Sequence, residues 1–150
     1  MKQRITVGQL NKLTDAQKEH LREWWTPQLG DFCLSTFGGR SNGKEVMIVI
    51  FDKNLKLPYL VGGESQPFHY VHASIVNSTS NELIPIMSLY PLLNIGQMIQ
   101  FIQEKKPALK GISKNRFDKW FINIETAQLG YKDELCDSLW EATTQILKAV

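Results

Sequence analysis

Several kinds of protein are excluded by what this chain has little of. Cysteine is nearly absent: Cys33 and Cys136 lie far apart, with no Cys-x-x-Cys pair and no Cys/His cluster around either. That pattern offers neither a disulfide framework nor a zinc site, and both thiols are expected to be reduced core residues. No long apolar run occurs. The longest, Val46–Phe51, falls far short of the roughly 20 residues of a membrane-spanning helix. The opening Met-Lys-Gln-Arg-Ile-Thr lacks the apolar stretch of a secretion signal, so a cytoplasmic location is expected. Charge excess is also missing, since +2 is too little to name a polyanion as partner.

With 150 residues, 43% of them hydrophobic and 21% charged, the chain has an ordinary composition and is read as one domain, residues 1–150. Its charge is unevenly spread. Residues 101–130 carry Lys105, Lys106, Lys110, Lys114, Arg116 and Lys119 against Glu104, Asp118 and Glu125. Residues 131–150 are net acidic.

Helix start signals are the clearest local features. Asn94 followed by Gln97 forms a capping box, after which Ile95, Met98, Ile99 and Ile102 recur on one face; Pro107 ends the element. This predicts a central helix over 94–105. Thr6 with Gln9 and Thr14 with Gln17 predict two N-terminal helical segments, the second running to about Trp25 before Pro27. A final helix is expected over 132–149, with Gly130 breaking the chain before it and Leu135, Leu139, Ala142 or Thr143, Ile146 and Val150 facing the core.

Between the first and central helices the chain reads as strands: 31–37, 46–51, and weaker ones near 59–61, 68–76 and 82–89. Asn42-Gly43 favours a tight turn, and Pro85 an edge or a bulge. After the central helix, 108–115 reads as a polar, basic connection, and 118–125 as a strand with Trp120, Ile122 and Ile124 on one face. The expected class is α+β, with a mainly antiparallel sheet of about five strands flanked by N-terminal, central and C-terminal helices.

Motifs for chemistry are weak. Gly38-Gly-Arg-Ser-Asn-Gly-Lys44 matches a phosphate-binding loop in part, and 47–52 ends in Asp52. However, a strand comes next where a helix is required, and Glu45 stands where the magnesium-binding hydroxyl belongs. It reads as a hairpin turn. His69 and His72, three apart on a strand, would face opposite ways, and His20 reads as lying on a solvated helical face. Asp31, Asp52 and Glu64 lie near turns or strand ends, with nothing to pair them. No catalytic residue, cofactor site or metal site is expected.

Two surfaces remain. Trp24-Trp25 is difficult to bury as a pair, so one ring is expected to cover the sheet while the other marks a site for a protein partner. The segment 105–119 interleaves Lys105, Lys106, Lys110, Lys114, Arg116 and Lys119 with Phe117, next to Trp120, a composition suited to nucleic acid. The bland reading turns both aromatics into the core.

Three segments carry a resemblance: Trp25-Thr-Pro-Gln-Leu-Gly-Asp31, Leu92-Leu-Asn-Ile-Gly-Gln-Met-Ile-Gln-Phe101 and Glu134-Leu-Cys-Asp-Ser-Leu-Trp-Glu-Ala142. In this order they resemble the W-x-P-Q-x-G-D, L-L-S-I-G-Q-M-I-E-F and E-L-C-D-A-L-W-E-A patterns of small uncharacterised proteins from phages and prophages of Gram-positive bacteria. The resemblance covers the helices and first strand, not 38–85. It implies a small cytoplasmic protein expressed from a mobile element, and brings no activity or functional residue with it. Together these readings predict a non-enzymatic accessory protein that binds a protein partner, with a nucleic-acid-binding module using 105–119 as the alternative.

Overall fold

A computed structural model describes residues 1–52, 70–76, 81–106, 109–124 and 127–149. The fold is α+β, with four α-helices and eight strands among these residues. The chain gathers into two compact units, residues 18–91 and residues 1–17 with 92–150.

The 18–91 unit holds a five-stranded antiparallel sheet of β1 (Phe32–Ser35), β2 (Glu45–Asp52), β3 (Tyr70–Ile75), β4 (Asn81–Pro85) and β5 (Leu89–Pro91), in the order β4-β3-β2-β1-β5. The β-branched run at 46–51 does form the middle strand, and Pro85 does end an edge strand, where its missing N–H costs no ladder bond. The expected strand over 82–89 is broken after Pro85 by a 3-10 turn, Ile86–Ser88, and its two halves lie on opposite edges of the sheet. Residues 36–44 join β1 to β2, with Gly43 at φ +71 donating its N–H to the Ser35 carbonyl. The phosphate-loop lookalike is therefore a hairpin connection, longer than the two-residue turn expected from Asn42-Gly43. The expected strand near 59–61 lies outside the described residues.

α1 (Val7–Leu10) and α2 (Asp15–Trp24) begin where their caps predict. Thr6 and Gln9 exchange hydrogen bonds as a capping box, and Thr14 and Gln17 do the same at 3.0 and 3.3 Å. The first turn of α2 belongs to the other unit. Beneath the five-stranded sheet a core of Cys33, Val46, Ile48, Val71, Ala73, Ile84 and Leu89 is closed by Trp25, with Trp24 packed at its margin.

The second unit is built on α3 (Ile95–Lys105) and α4 (Leu135–Lys148). The Asn94–Gln97 capping box is present, and Met98, Phe101 and Ile102 are wholly buried. Each contributes about 2–3 kcal/mol of apolar burial. The extended residues before α1 and α3 lie side by side, Arg4 bridging to Asn94, so the two capping boxes start from one short antiparallel bridge.

Beyond α3 the chain departs from the expected pattern. A second sheet forms, β6 (Leu109–Lys114), β7 (Trp120–Ile124) and β8 (Ala127–Lys132), in the order β6-β7-β8. The supposed basic connection is thus strand β6, whose apolar signal is interrupted by a bulge between Leu109 and Gly111. Gly130 is no breaker. It sits inside β8 at φ +79, beside a second register shift. The last helix accordingly starts at Leu135 rather than 132, with Glu134 at its N-cap. α4 is buried more broadly than one stripe, through Cys136, Ser138, Leu139, Trp140, Ala142, Thr143, Ile146 and Leu147. It packs against α3 and against β7 and β8.

Candidate nucleic-acid interface

The β6–β7–β8 sheet has two unlike faces. Pairing across β6 and β7 sets Ile112 opposite Ile122 and Ser113 opposite Phe121. One face therefore carries Ile122 and Ile124, both buried, together with Trp120. Helix α4 backs this face, where the Ser138 hydroxyl donates to the Trp120 carbonyl at 3.0 Å. The opposite face carries Ser113, Phe121 and Asn123, with Tyr131 of β8 completing it. The Phe121 and Tyr131 rings lie 5.8 Å apart at 21°. Tyr131 is 50% exposed, and its hydroxyl donates to Gln128 Oε1 at 2.5 Å, which fixes the ring. Asn123 donates weakly to the Ser113 hydroxyl, at 3.4 Å.

The rim is basic. Residues 105–132 hold seven Lys and Arg against Asp118 and Glu125, whereas the whole chain is only +2. The turn joining β6 to β7 is set by Asn115. Its side-chain oxygen accepts from the N–H groups of Phe117 and Lys119, at 2.9 and 3.1 Å, and Asp118 takes φ 60. This turn lifts Arg116 and Phe117 into solvent, with the guanidinium 4.8 Å from the ring centroid and Phe117 66% exposed. The bland reading of Phe117 as a core residue is thus corrected, since a tight turn between two strands leaves it no core to enter. Trp120 is half-buried, and the Lys114 ammonium stands 5.1 Å from its ring centroid.

Three rim cations are engaged within the protein. Lys114 pairs with Asp118 at 2.5 Å, Lys119 with Asp133, and Lys132 with Glu141 at 2.9 Å. The Lys119 hydrogen bond holds the Asp133 carboxyl below its usual range, and the one to Glu141 raises Lys132. Lys105, Lys106, Lys110 and Arg116 carry no ion pair among the described residues. Lys110 and Arg116 are exposed, Lys105 closes α3, and the Lys106 N–H caps it by donating to the Ile102 carbonyl.

The other candidates resolve differently. Trp25 is the tryptophan that covers the sheet: it is buried, and its indole N–H donates to Asp31 Oδ2 at 2.8 Å. Trp24 is half-buried against the same core. Asp31, which also accepts from the Gln28 N–H, is a structural acceptor in this turn. Glu64 and His69 lie outside the described residues, as does the Asp52 side chain. His72 is half-buried on β3. The Nε2 of His20 is buried without a hydrogen-bond partner among the described residues, a correction to the solvated position expected for it, because the helical face around it is only partly exposed. Among the described residues no three His, Cys, Asp or Glu side chains gather closely enough to hold a metal ion, and no helix is long and apolar enough to cross a membrane.

An open groove of about 550 Å³ also lies in this unit, beside Trp140. Its charges mostly answer one another. Lys2 bridges Gln9 and Asp137 at 2.6 Å each, and Gln9 donates to Asp137 at 3.0 Å. A cross-linked network of this kind fixes the N-terminal segment on α4 rather than presenting groups to a ligand.

Both cysteines are free and buried. Desolvation pushes the Cys136 thiol up to about 11, and that of Cys33 well above its ordinary value. A thiol reagent at pH 8 is expected to label neither in the native protein and both in denaturant. Because the folded thiol holds its proton where the unfolded one has lost it, stability should fall as pH rises from about 9 to about 11. Native labelling at the denatured rate would contradict the burial.

No protein-family model matches the chain, and no curated protein or solved structure is significantly similar to it.

Proposed function

We propose that this is a non-enzymatic accessory protein, in keeping with the phage and prophage proteins its sequence resembles, and that it binds nucleic acid through the β6–β8 sheet. The observation that carries this reading is the coincidence, on and around one small sheet, of exposed aromatic rings and cations that carry no ion pair among the described residues. Phe117, Tyr131, Lys110 and Arg116 are all exposed: Tyr131 stands on the face that α4 does not cover, Lys110 at the bulge of β6, and Arg116 and Phe117 in the turn between β6 and β7. Exposed rings alone would fit many partners. Placed within a locally cationic rim they match a polyanion bearing flat bases.

A protein partner docking on a tryptophan has less to support it, because Trp25 is buried and Trp24 packs on the core. The test is the fluorescence anisotropy of labelled DNA and RNA of about 30 nucleotides, long enough to span the site sizes usual for such surfaces, titrated across a salt series. Engagement of Lys105, Lys106, Lys110 and Arg116 predicts log K falling with log salt at a slope of about −3. Reversal of two of them, K110E/R116E, should weaken binding at low salt at least about ten-fold and flatten the slope by about two. An absent or salt-insensitive signal overturns the proposal. A lysate protein retained after nuclease, with no nucleic-acid binding, would return attention to Trp24.

A further inference from the structure

The exposed face of the three-stranded sheet also bears on which form of nucleic acid is bound. Phe121 and Tyr131 are stacked, 21° from parallel with their centroids 5.8 Å apart, so part of each ring is turned towards the other. Tyr131, on the edge strand β8, is half exposed, Phe121 on the middle strand is half-buried behind it, and the Tyr131–Gln128 hydrogen bond holds the outer ring in place. Ser113 and Asn123 stand beside them on the same face, joined by a 3.4 Å contact and by no other side-chain hydrogen bond among the described residues, so both keep hydrogen-bonding capacity for a base edge. Around this surface stand Lys110 in its bulge and Arg116 in its turn.

We infer that this face is a stacking platform for the unpaired bases of a single strand, with Tyr131, backed by Phe121, receiving a base and Lys110 and Arg116 meeting the phosphates. The inference rests on the nucleic-acid reading above and narrows it. A duplex keeps its base faces stacked on one another, so it can meet the rim cations but has nothing to offer the rings. Unpaired bases have free faces, and stacking on an aromatic side chain tolerates any sequence. Single-stranded DNA and RNA share this chemistry.

The experiment compares single strands of about 12 nucleotides, in DNA and in RNA, with the duplex of the same sequence, against wild type, Y131S and Y131W. Single strands should bind at least about ten-fold more tightly than duplex. Y131S should lose about ten-fold on single strands and little on duplex, and Y131W should restore the loss. A cross-strand ring pair also supports its own sheet, so the melting temperature of each variant is measured alongside. F121L, which keeps an apolar side chain in place, should likewise weaken single strands selectively. Equal affinity for single strand and duplex, or Y131S binding single strands as wild type does, overturns the inference while leaving salt-dependent binding intact. No binding at all, or binding that K110E/R116E leaves unchanged, would instead remove the reading beneath it.

Discussion

Replacing Gly130 with alanine is expected to cost roughly 3–5 kcal/mol, a large part of the roughly 5–15 kcal/mol that holds a typical domain together. Two penalties combine. Gly130 sits at φ +79, where an added Cβ costs about 1 kcal/mol. That Cβ would also lie 2.4 Å from the Ser138 carbonyl oxygen, and 2.9 Å from the carbonyl carbon and Cα of Ser138. These are backbone atoms in α4, so no side-chain rotation relieves the clash, and β8 must lift away from the helix. Gly39 is the control. At φ +100 with nothing within 4 Å of its Cβ position, Gly39→Ala meets only the conformational penalty, about 1 kcal/mol. Urea midpoints of the two variants measure the difference directly. Equal midpoints would refute the close approach of β8 to α4.

The same glycine shows why part of this fold is hidden in the sequence. The capping-box helix starts are legible, because such a box is closed by residues three apart and needs nothing from the rest of the chain; Thr6–Gln9, Thr14–Gln17 and Asn94–Gln97 all form. The middle strand is legible from its β-branched run. Gly130 is not, since its role depends on a helix that approaches the strand from later in the chain. Before a helix, glycine reads most simply as a stop. Strand β6 is masked in another way. Its lysines and a bulge interrupt the alternation, and its pairing with β7 supplies what its own sequence does not. The break after Pro85 is half legible: proline announces an edge, but nothing local says that the chain crosses to the opposite edge.

The candidate site divides along the same line. The basic segment and Phe117 are visible as composition. Phe121 is within reach, since the alternation that turns Trp120, Ile122 and Ile124 inward must turn Phe121 and Asn123 outward. Tyr131 is out of reach without β8, and with it the ring pair. Trp24-Trp25 stands out as a doublet, but Asp31 lies where it can accept the Trp25 indole N–H, and that hydrogen bond lets the ring be buried.

Phe101→Ala is the second large effect expected, a loss of about 3–5 kcal/mol. Phe101 is wholly buried on α3 and stands first in volume among the fully buried side chains of the described residues, so its removal forfeits apolar burial and leaves a cavity. Phe101→Leu keeps most of the volume and should cost about 1 kcal/mol. Both are read from urea midpoints. A Phe101→Ala midpoint close to that of the leucine variant would mean that the core repacks around the loss. The comparison also separates fold from function. At temperatures where it remains folded, Phe101→Ala should bind single strands within about two-fold of wild type, because α3 places no buried side chain against the ligand in the proposed complex. Tyr131→Ser should show the converse, a near-native midpoint with about ten-fold weaker binding. If affinity instead tracked stability across all of these variants, the exposed rings would be supporting the sheet alone, and the platform would have no separate role.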